Sequence, residues 1–330
     1  MLIEFKIEKN DEGQRLDKFL SKSICNMPSA LMYKYIRQKR IKVNRHRAEP
    51  GQMLVLGDLV QVFGSDDLVT RSHADEAFMH ITPKISVVYE DENIILVEKA
   101  PGVIVHSDEN ESGDTLIDNI KAYLYAKGEY IPSRENAFAP ALCNRIDRNT
   151  GGIVIAAKTA AALRSMNEAI KQNKLTKKYL CACHGKFEKK EGTIHNYLKK
   201  DAMLNRVSVF DKKTTNSRDV KEAITKYRVI ETSGELSLVE VELITGRTHQ
   251  IRAQFSHMGN ALLGDGKYGK NRDDRAMGYS YQALYSYSLD FKTGLLPPLE
   301  YLQNKHFEVD KKHIDFIKEF EKTNRKINNK

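Results

Sequence analysis

Apolar positions near the start of the chain recur at two periods. Leu16, Phe19, Leu20 and Ile24 share one face of a 3.6-residue repeat and predict a helix, with Asp11 and Gln14 ahead of it at capping-box spacing. A second helical pattern follows Pro28-Ser29, with Leu31, Tyr35 and Ile36 apolar. The repeat then shortens to two. Ile41-Lys42-Val43-Asn44 reads as a short strand, and after Gly51 and Gly57 residues 58–63 read as another. Residues 64–80 are polar, mixed in charge and without period, as expected of a connection.

From Ile81 the pattern becomes strands joined by helices. Residues 86–89 and 94–97 flank Asp91-Glu92-Asn93 and predict a hairpin, residues 152–157 a buried strand, and residues 160–171 a helix. Residues 237–244 alternate as a long strand. A helical pattern follows through Ile251, Phe255 and Met258 and stops at Gly259. Beyond Val309 a charged amphipathic helix is expected, with Ile314, Ile317 and Phe320 on its apolar side. No internal repeat is present. The chain thus divides into a small helix-and-strand unit over 1–70, a linker over 71–80 and a larger mixed α/β unit over 81–330.

Composition sharpens this in two places. Hydrophobic residues make up 41% of the 330, enough for a sizeable core, and 53 basic against 44 acidic residues give a formal +9. The excess is concentrated: between Lys18 and Ala48 there is no Asp or Glu, yet the stretch holds Lys18, Lys22, Lys34, Arg37, Lys39, Arg40, Lys42, Arg45 and Arg47. Such a run sets up a positive potential suited to a phosphate backbone. Cys25, Cys143, Cys181 and Cys183 form no disulfide framework, which fits a reducing compartment. Cys181 and Cys183 would share one face of a strand, and no second ligand pair follows His184 at zinc spacing, so packing is expected and no metal. No segment has the apolar core of a signal peptide or approaches the roughly 20 apolar residues of a membrane helix. A soluble, cytoplasmic protein is expected.

The strings RLDKFL, LMYKYIRQKRIKVN and PGQMLVLGDLVQV, spanning 13–63, resemble an S4 domain, a compact RNA-binding module. The resemblance implies RNA contact through the second helix and the loop after it, where Lys34, Arg37, Lys39, Arg40, Lys42, Arg45 and Arg47 lie.

Four blocks of the larger unit carry residues suited to chemistry. They are DENIILVEKAPGVIVH from Asp91, NRIDRNTGGIVIAAKT from Asn144, KKYLCACHG from Lys177 and TGRTHQIRAQFSHMGNALLGDGKYG from Thr245. Asp147 stands between Arg145 and Arg148 on a loop entering an apolar strand, and guanidinium groups favour a charged carboxylate. Asn149-Thr150-Gly151-Gly152 gives a tight turn that would let a substrate approach the backbone. Arg247, His249, Gln250 and Arg252 open a helix, with His249, Arg252 and Ser256 on the side opposite Ile251, Phe255 and Met258. A hydrolase using Asp147 on a small molecule would have no use for the basic first unit.

In combination the blocks resemble the RluA-type family of pseudouridine synthases, which includes enzymes of the RluC and RluD kind. That family centres on an H-R-L-D-x-x-T-S-G string, read here from Asn144 to Gly152, with Asn144 taken at the histidine and Gly152 at the serine. The resemblance implies Asp147 as nucleophile, Tyr179 in KKYL as the residue stacking on the target base and Arg252 in THQIR as the partner of the aspartate. Arg145, Arg148, Arg247, His249 and Gln250 become candidate substrate contacts. It also implies a mixed α/β fold with a largely antiparallel central sheet and an active-site cleft. The expected activity is isomerisation of uridine to pseudouridine after base flipping, with no metal and no nucleotide cofactor. The expected partner is RNA, 23S ribosomal RNA foremost, with no membrane, and the expected state is a monomer.

Overall fold

The computed structural model describes residues 1–321 except 66, 69–76, 106–114, 202, 214–218 and 270–271. Most of the expected linker, residues 71–76, therefore lies outside the described residues, as do His106 and the tail over 322–330.

The N-terminal pattern folds as β1 (Leu2–Lys6), α1 (Leu16–Ser23), α2 (Ser29–Arg37), β2 (Ile41–Val43), β3 (His46–Arg47) and β4 (Leu59–Phe63). The strands pair antiparallel in the order β1-β4-β2-β3. Leu16, Phe19 and Leu20 of α1 are fully buried against Met32, Tyr35 and Ile36 of α2. Leu31, expected inside, is only partly covered, because Met32 takes the inward position. The expected capping box does not form. Arg15 precedes α1 without a side-chain cap, and Asp11 Oδ2 instead accepts from Glu8 N at 3.2 Å and Asn136 Nδ2 at 2.7 Å. Asp11 thereby joins the two units, alongside Asn10, whose side chain donates to Glu135 at 3.0 Å and accepts from Ala160 N at 3.1 Å.

The larger unit runs β5 (Ser86–Glu90), β6 (Ile94–Lys99), α3 (Leu116–Ala126), β7 (Ala141–Leu142), β8 (Gly151–Ala157), α4 (Ala160–Lys171), β9 (Leu175–His184), β10 (Glu191–Asp201), β11 (Arg206–Phe210), β12 (Val220–Ser233), β13 (Leu236–Leu243), α5 (Gln250–His257), α6 (Arg272–Ala276), β14 (Leu284–Phe291) and β15 (His306–Glu308). Its eleven strands follow the path β11-β10-β12-β13-β9-β14-β8-β6-β5, with β15 on β14 and β7 on β8. Every pair is antiparallel except β14 with β8. The expected mixed α/β architecture with a largely antiparallel sheet is therefore present.

Both faces of the sheet are covered, which is why its middle strands read as continuous apolar runs rather than alternating ones. Ile94, Leu96, Ile153 and Ile155 pack on one side with Ala162 and Met166 of α4, whereas Ile95, Val97, Val154 and Ala156 pack on the other with Leu116 and Ile120 of α3 and Phe255 of α5. Cys181 and Cys183 lie in this second core with their sulfurs 3.6 Å apart. The C-terminal segment is not the single helix expected. It makes 3₁₀ turns at Lys311–His313 and Asp315–Ile317, so that Ile314, Phe316 and Phe320 all reach the first core, a spacing one helical face could not supply. Ala77–His80, at the end of the expected linker, also forms a 3₁₀ turn, with Phe78 stacked 5.7 Å from Tyr130. Among the described residues no helix is long and apolar enough to cross a membrane.

The parallel β14–β8 junction pairs Tyr285 with Gly151 and Ser286 with Gly152. A Cβ on Gly151 would fall 2.2 Å from the Tyr285 ring, and one on Gly152, at φ +115°, 2.1 Å from the Ser286 carbonyl oxygen. The glycine pair is what lets the two halves of the sheet meet. Gly152→Ala is expected to lower stability by about 2–4 kcal/mol through the clash and the left-handed backbone. Gly246→Ala, with open space around it, should cost less than about 1 kcal/mol. Urea midpoints of the two variants test the contrast.

Candidate active site

The register across that junction builds the floor of the site. Lys99 pairs with Gly152, Gly152 with Ser286, Ser286 with Tyr179 and Tyr179 with Val241, so one row crosses β6, β8, β14, β9 and β13. Asp147 lies on the loop leading into β8. Asn144 ties that loop down by accepting from Ile155 N at 2.8 Å, and Thr150 N closes a turn onto the Asp147 carbonyl at 3.0 Å. Asn144, where the resemblance expects histidine, is thus a backbone anchor. Counted along the string, the serine falls on Gly151 rather than on Gly152, and at Gly151 the ring of Tyr285 fills the space a serine would need.

Lys99 fixes the loop from below. It is 1% exposed, and its Nζ donates to the carbonyls of Arg148 at 2.7 Å, Ala100 at 3.0 Å and Val103 at 3.0 Å. Burial draws its pKa down to about 7, with the nearby Asp147 carboxylate opposing the shift. Three carbonyl acceptors around one nitrogen form the cradle an ammonium takes.

Opposite, α5 starts after His249, which holds a left-handed φ of +52°. One turn in, Arg252 makes a fork. Its Nε and Nη2 donate to the two oxygens of Asp265 at 2.7 and 2.9 Å, and Nη1 donates to Asp147 Oδ2 at 2.9 Å. Asp265 is fully buried and also accepts from the amides of Lys267 and Tyr268. Burial works against both charges. The bonds to Asp265 and Asp147 nevertheless raise the pKa of Arg252, and Arg252 with the two amides holds Asp265 below the usual carboxylate range. Asp147 keeps 27% of its side chain exposed, and among the described residues its Oδ1 accepts no hydrogen bond.

Two further groups face this carboxylate. His249 has Nε2 3.8 Å from Asp147 Oδ2 and Nδ1 2.9 Å from the Tyr268 hydroxyl. Burial pushes its pKa down to about 4; Asp147 resists the shift and Arg252 adds to it. Burial likewise raises Tyr179 to about 12, with Asp147 adding to the shift and a hydrogen bond to Ser286 opposing it.

Asp147 therefore has Arg252 at 2.9 Å and His249 at 3.8 Å, with Tyr179 near enough to feel its charge, whereas Gln250 does not join them. It is 2% exposed, and its amide is consumed by Ile224 O, Thr225 Oγ1, Thr245 Oγ1 and Arg247 N, so it shapes the start of α5 rather than facing a substrate. Arg247 is exposed and donates to Glu222 O at 2.9 Å, and Arg148 donates to Gly102 O at 3.3 Å. Arg145 is exposed with no side-chain partner among the described residues. In the N-terminal unit Lys34, Arg37, Lys39, Arg40, Arg45 and Arg47 are exposed and Lys42 is half-buried. Arg40 lies over Tyr35 and Lys42 over Phe63.

Sequence reasoning passed over Lys99, Asp265, Tyr268 and Ser286. The strings KAPG and GDGKYG contained three of them, but only the sheet register and the Arg252 fork show what they do. Among the described residues no group of His, Cys, Asp and Glu is placed to hold a metal ion. Arg252→Met, which leaves the carboxylate of Asp265 buried without its cation, is expected to destabilise the chain by about 3–5 kcal/mol. The double variant Arg252→Met with Asp265→Leu should recover most of that loss, and chemical denaturation of the two tests the fork.

A model of the RNA pseudouridylate synthase family matches residues 93–257, which hold Lys99, Asp147, Tyr179 and Arg252. An uncharacterized RNA pseudouridine synthase of Mycoplasma capricolum subsp. capricolum is 32% identical over 310 residues, 92% of this chain and 96% of that one. The ribosomal large subunit pseudouridine synthase C of Escherichia coli is 27% identical over 82% of this chain and 81% of its own. In fold, human RNA pseudouridylate synthase domain containing 4 superposes with a TM-score of 0.53 at 21% identity, over 68% of this chain and 88% of that one. Sequence and fold lead to one assignment: the chain belongs to the RNA pseudouridine synthase family, isomerases that act on RNA.

Proposed function

We propose that Asp147 is the nucleophile of the isomerisation. The observation that carries this reading is the asymmetry of its carboxylate, with Oδ2 fixed by Arg252 and Oδ1 accepting no hydrogen bond among the described residues, in a side chain that stays 27% exposed. Pseudouridine formation breaks the N1–C1′ bond of uridine, turns the base and joins C5 to C1′. The C5 proton leaves, N1 regains one, and nothing is added. Attack on C1′, removal of the C2′ proton and addition to C6 all begin with a carboxylate oxygen that is held still and uncovered. Arg252 steadies it by a charge-assisted bond.

The target base must leave its stack, at a few kcal/mol. In this reading stacking on Tyr179 returns about 1–3 kcal/mol, and Arg145, exposed two residues from Asp147, helps to hold the flipped state. His249, kept neutral at ordinary pH by burial, offers a hydrogen bond without adding charge. The substrate is 23S ribosomal RNA in this reading. Its supports are the similarity to a ribosomal large subunit synthase and the N-terminal unit, which we read as an S4-like RNA-binding domain over residues 1–70. There α2 and the turn after it present exposed cations with no carboxylate among them.

Two experiments test these assignments. Pseudouridine mapping of ribosomal RNA from cells lacking the gene should show sites that return with the wild type and not with Asp147→Asn. A site restored by Asp147→Asn removes the nucleophile role, and a map unchanged by deletion removes the ribosomal target. Binding of transcribed 23S fragments should lose about 2 from the slope of log K against log salt when Lys39, Arg40 and Arg45 are all changed to Gln. An unchanged slope would mean that this face is merely solvated.

A further inference from the structure

Alongside the Arg252 fork opens a cleft of about 640 Å³, within the roughly 300–1,000 Å³ typical of small-ligand sites. The uridine chemistry at Asp147 leaves it unassigned. Its lining includes the cations Arg206, Arg252, Lys267 and Arg275, and no carboxylate. Two apolar groups stand among them, Leu204 at 68% exposure and Tyr281 at 47%. An exposed aromatic and an exposed leucine in a pocket of one charge sign do not suit a packed core. They suit a ligand with flat apolar faces and a negatively charged edge.

The walls are held in place. Leu204 belongs to the β10–β11 turn, where Leu204 N donates to Asp201 Oδ1 at 3.0 Å. Lys267 Nζ donates to Asn205 O at 2.7 Å, the Arg206 guanidinium donates to Lys267 O, and Arg206 lies over the Tyr268 ring at 5.7 Å. Arg275 extends from α6, which is anchored where buried Asp274 accepts from Gly264 N at 2.7 Å. Tyr281 reaches over the Lys99–Gly102 turn, since a Cβ on Gly102 would meet its hydroxyl at 3.8 Å. The Gly102 amide in turn holds the Arg148 carbonyl, one residue from Asp147, at 2.9 Å. The cleft thus begins where the site of the target uridine ends.

We propose that this cleft binds the nucleotide next to the target uridine, its base stacked on Tyr281 with Leu204 across the slot, and its phosphates met by Arg206, Lys267 and Arg275. The inference rests on the RNA-isomerase reading and assigns to it a second base platform. Tyr281 sets how strongly the neighbouring base is held, and Arg275, with no side-chain partner among the described residues, supplies charge that is free to pair.

The test uses the full chain carrying Asp147→Asn and two short cytidine strands, each with one uridine and a 2-aminopurine immediately 5′ or immediately 3′ of it. Saturating protein should quench the 2-aminopurine of one strand. Adding Tyr281→Ala should abolish the quench and weaken binding of that strand about 5- to 150-fold, the span that 1–3 kcal/mol per stacked base implies. Tyr281→Phe should preserve both. Arg275→Gln should leave the quench at saturation and lower the salt slope by about 0.7. The proposal is overturned if neither strand is quenched, if Tyr281→Ala changes nothing, or if Tyr281→Phe fails as Tyr281→Ala does. The two readings fail separately. A wild type that makes pseudouridine while Tyr281→Ala keeps the quench sinks only the cleft assignment. A quench that needs Tyr281 in a chain that modifies no RNA sinks only the reaction.

Discussion

A guanidinium buried between two carboxylates organises this protein's chemistry. Arg252 gives two N–H groups to the fully buried Asp265 and a third to Asp147. Burying charge costs several kcal/mol per ion unless the geometry is met, so Asp265 with its two amide donors fixes Arg252 tightly. Arg252 then fixes Asp147. One cation against two anions also leaves a net negative charge, and it resides on the member that solvent reaches.

The other side of Asp147 is set by backbone. Lys99 gathers three carbonyls, among them that of Arg148, while Asn144 and Thr150 pin the loop at its two ends. The carboxylate is thus gripped from a helix through its side chain and from a sheet through its main chain. Among the described residues neither grip gives Oδ1 a hydrogen bond. The dry surroundings that hold His249 uncharged also lift the Tyr179 hydroxyl out of reach of ionisation at neutral pH.

Much of this was legible in the chain. The strand at Gly151–Ala157 and the helix at Ala160–Lys171 followed from continuous and 3.6-residue apolar patterns, and both are deeply packed. Asp147, Tyr179 and Arg252 came from the order of four blocks. What was missed depends on distant pairing. Asp11 and Gln14 have capping spacing, but Asn136, far along the chain, competes for the aspartate. His249 and Asp147 are brought within 3.8 Å by α5 and the β8 loop, which no local period connects. Gln250 sits beside His249 in sequence yet turns inward, because a helix start sends successive side chains in different directions. Residues 310–317 have helical spacing but make two short 3₁₀ turns instead.

The parallel pairing of β14 with β8 has a consequence for how the active site comes into being. β5 to β8 can assemble among themselves, and so can β9 to β14, but among the described residues the two groups join in the sheet only at Tyr285–Ser286 against Gly151–Gly152. Closing that seam brings together segments separated by the whole of β9 to β13, a slow and entropically costly step compared with forming hairpins. Asp147 and Lys99 belong to the first group, Tyr179 and Arg252 to the second. The pairing of Arg252 with Asp147 is therefore a property of the closed seam and not of either group. Brief parting of the seam would break the Arg252–Asp147 bond without unfolding either half.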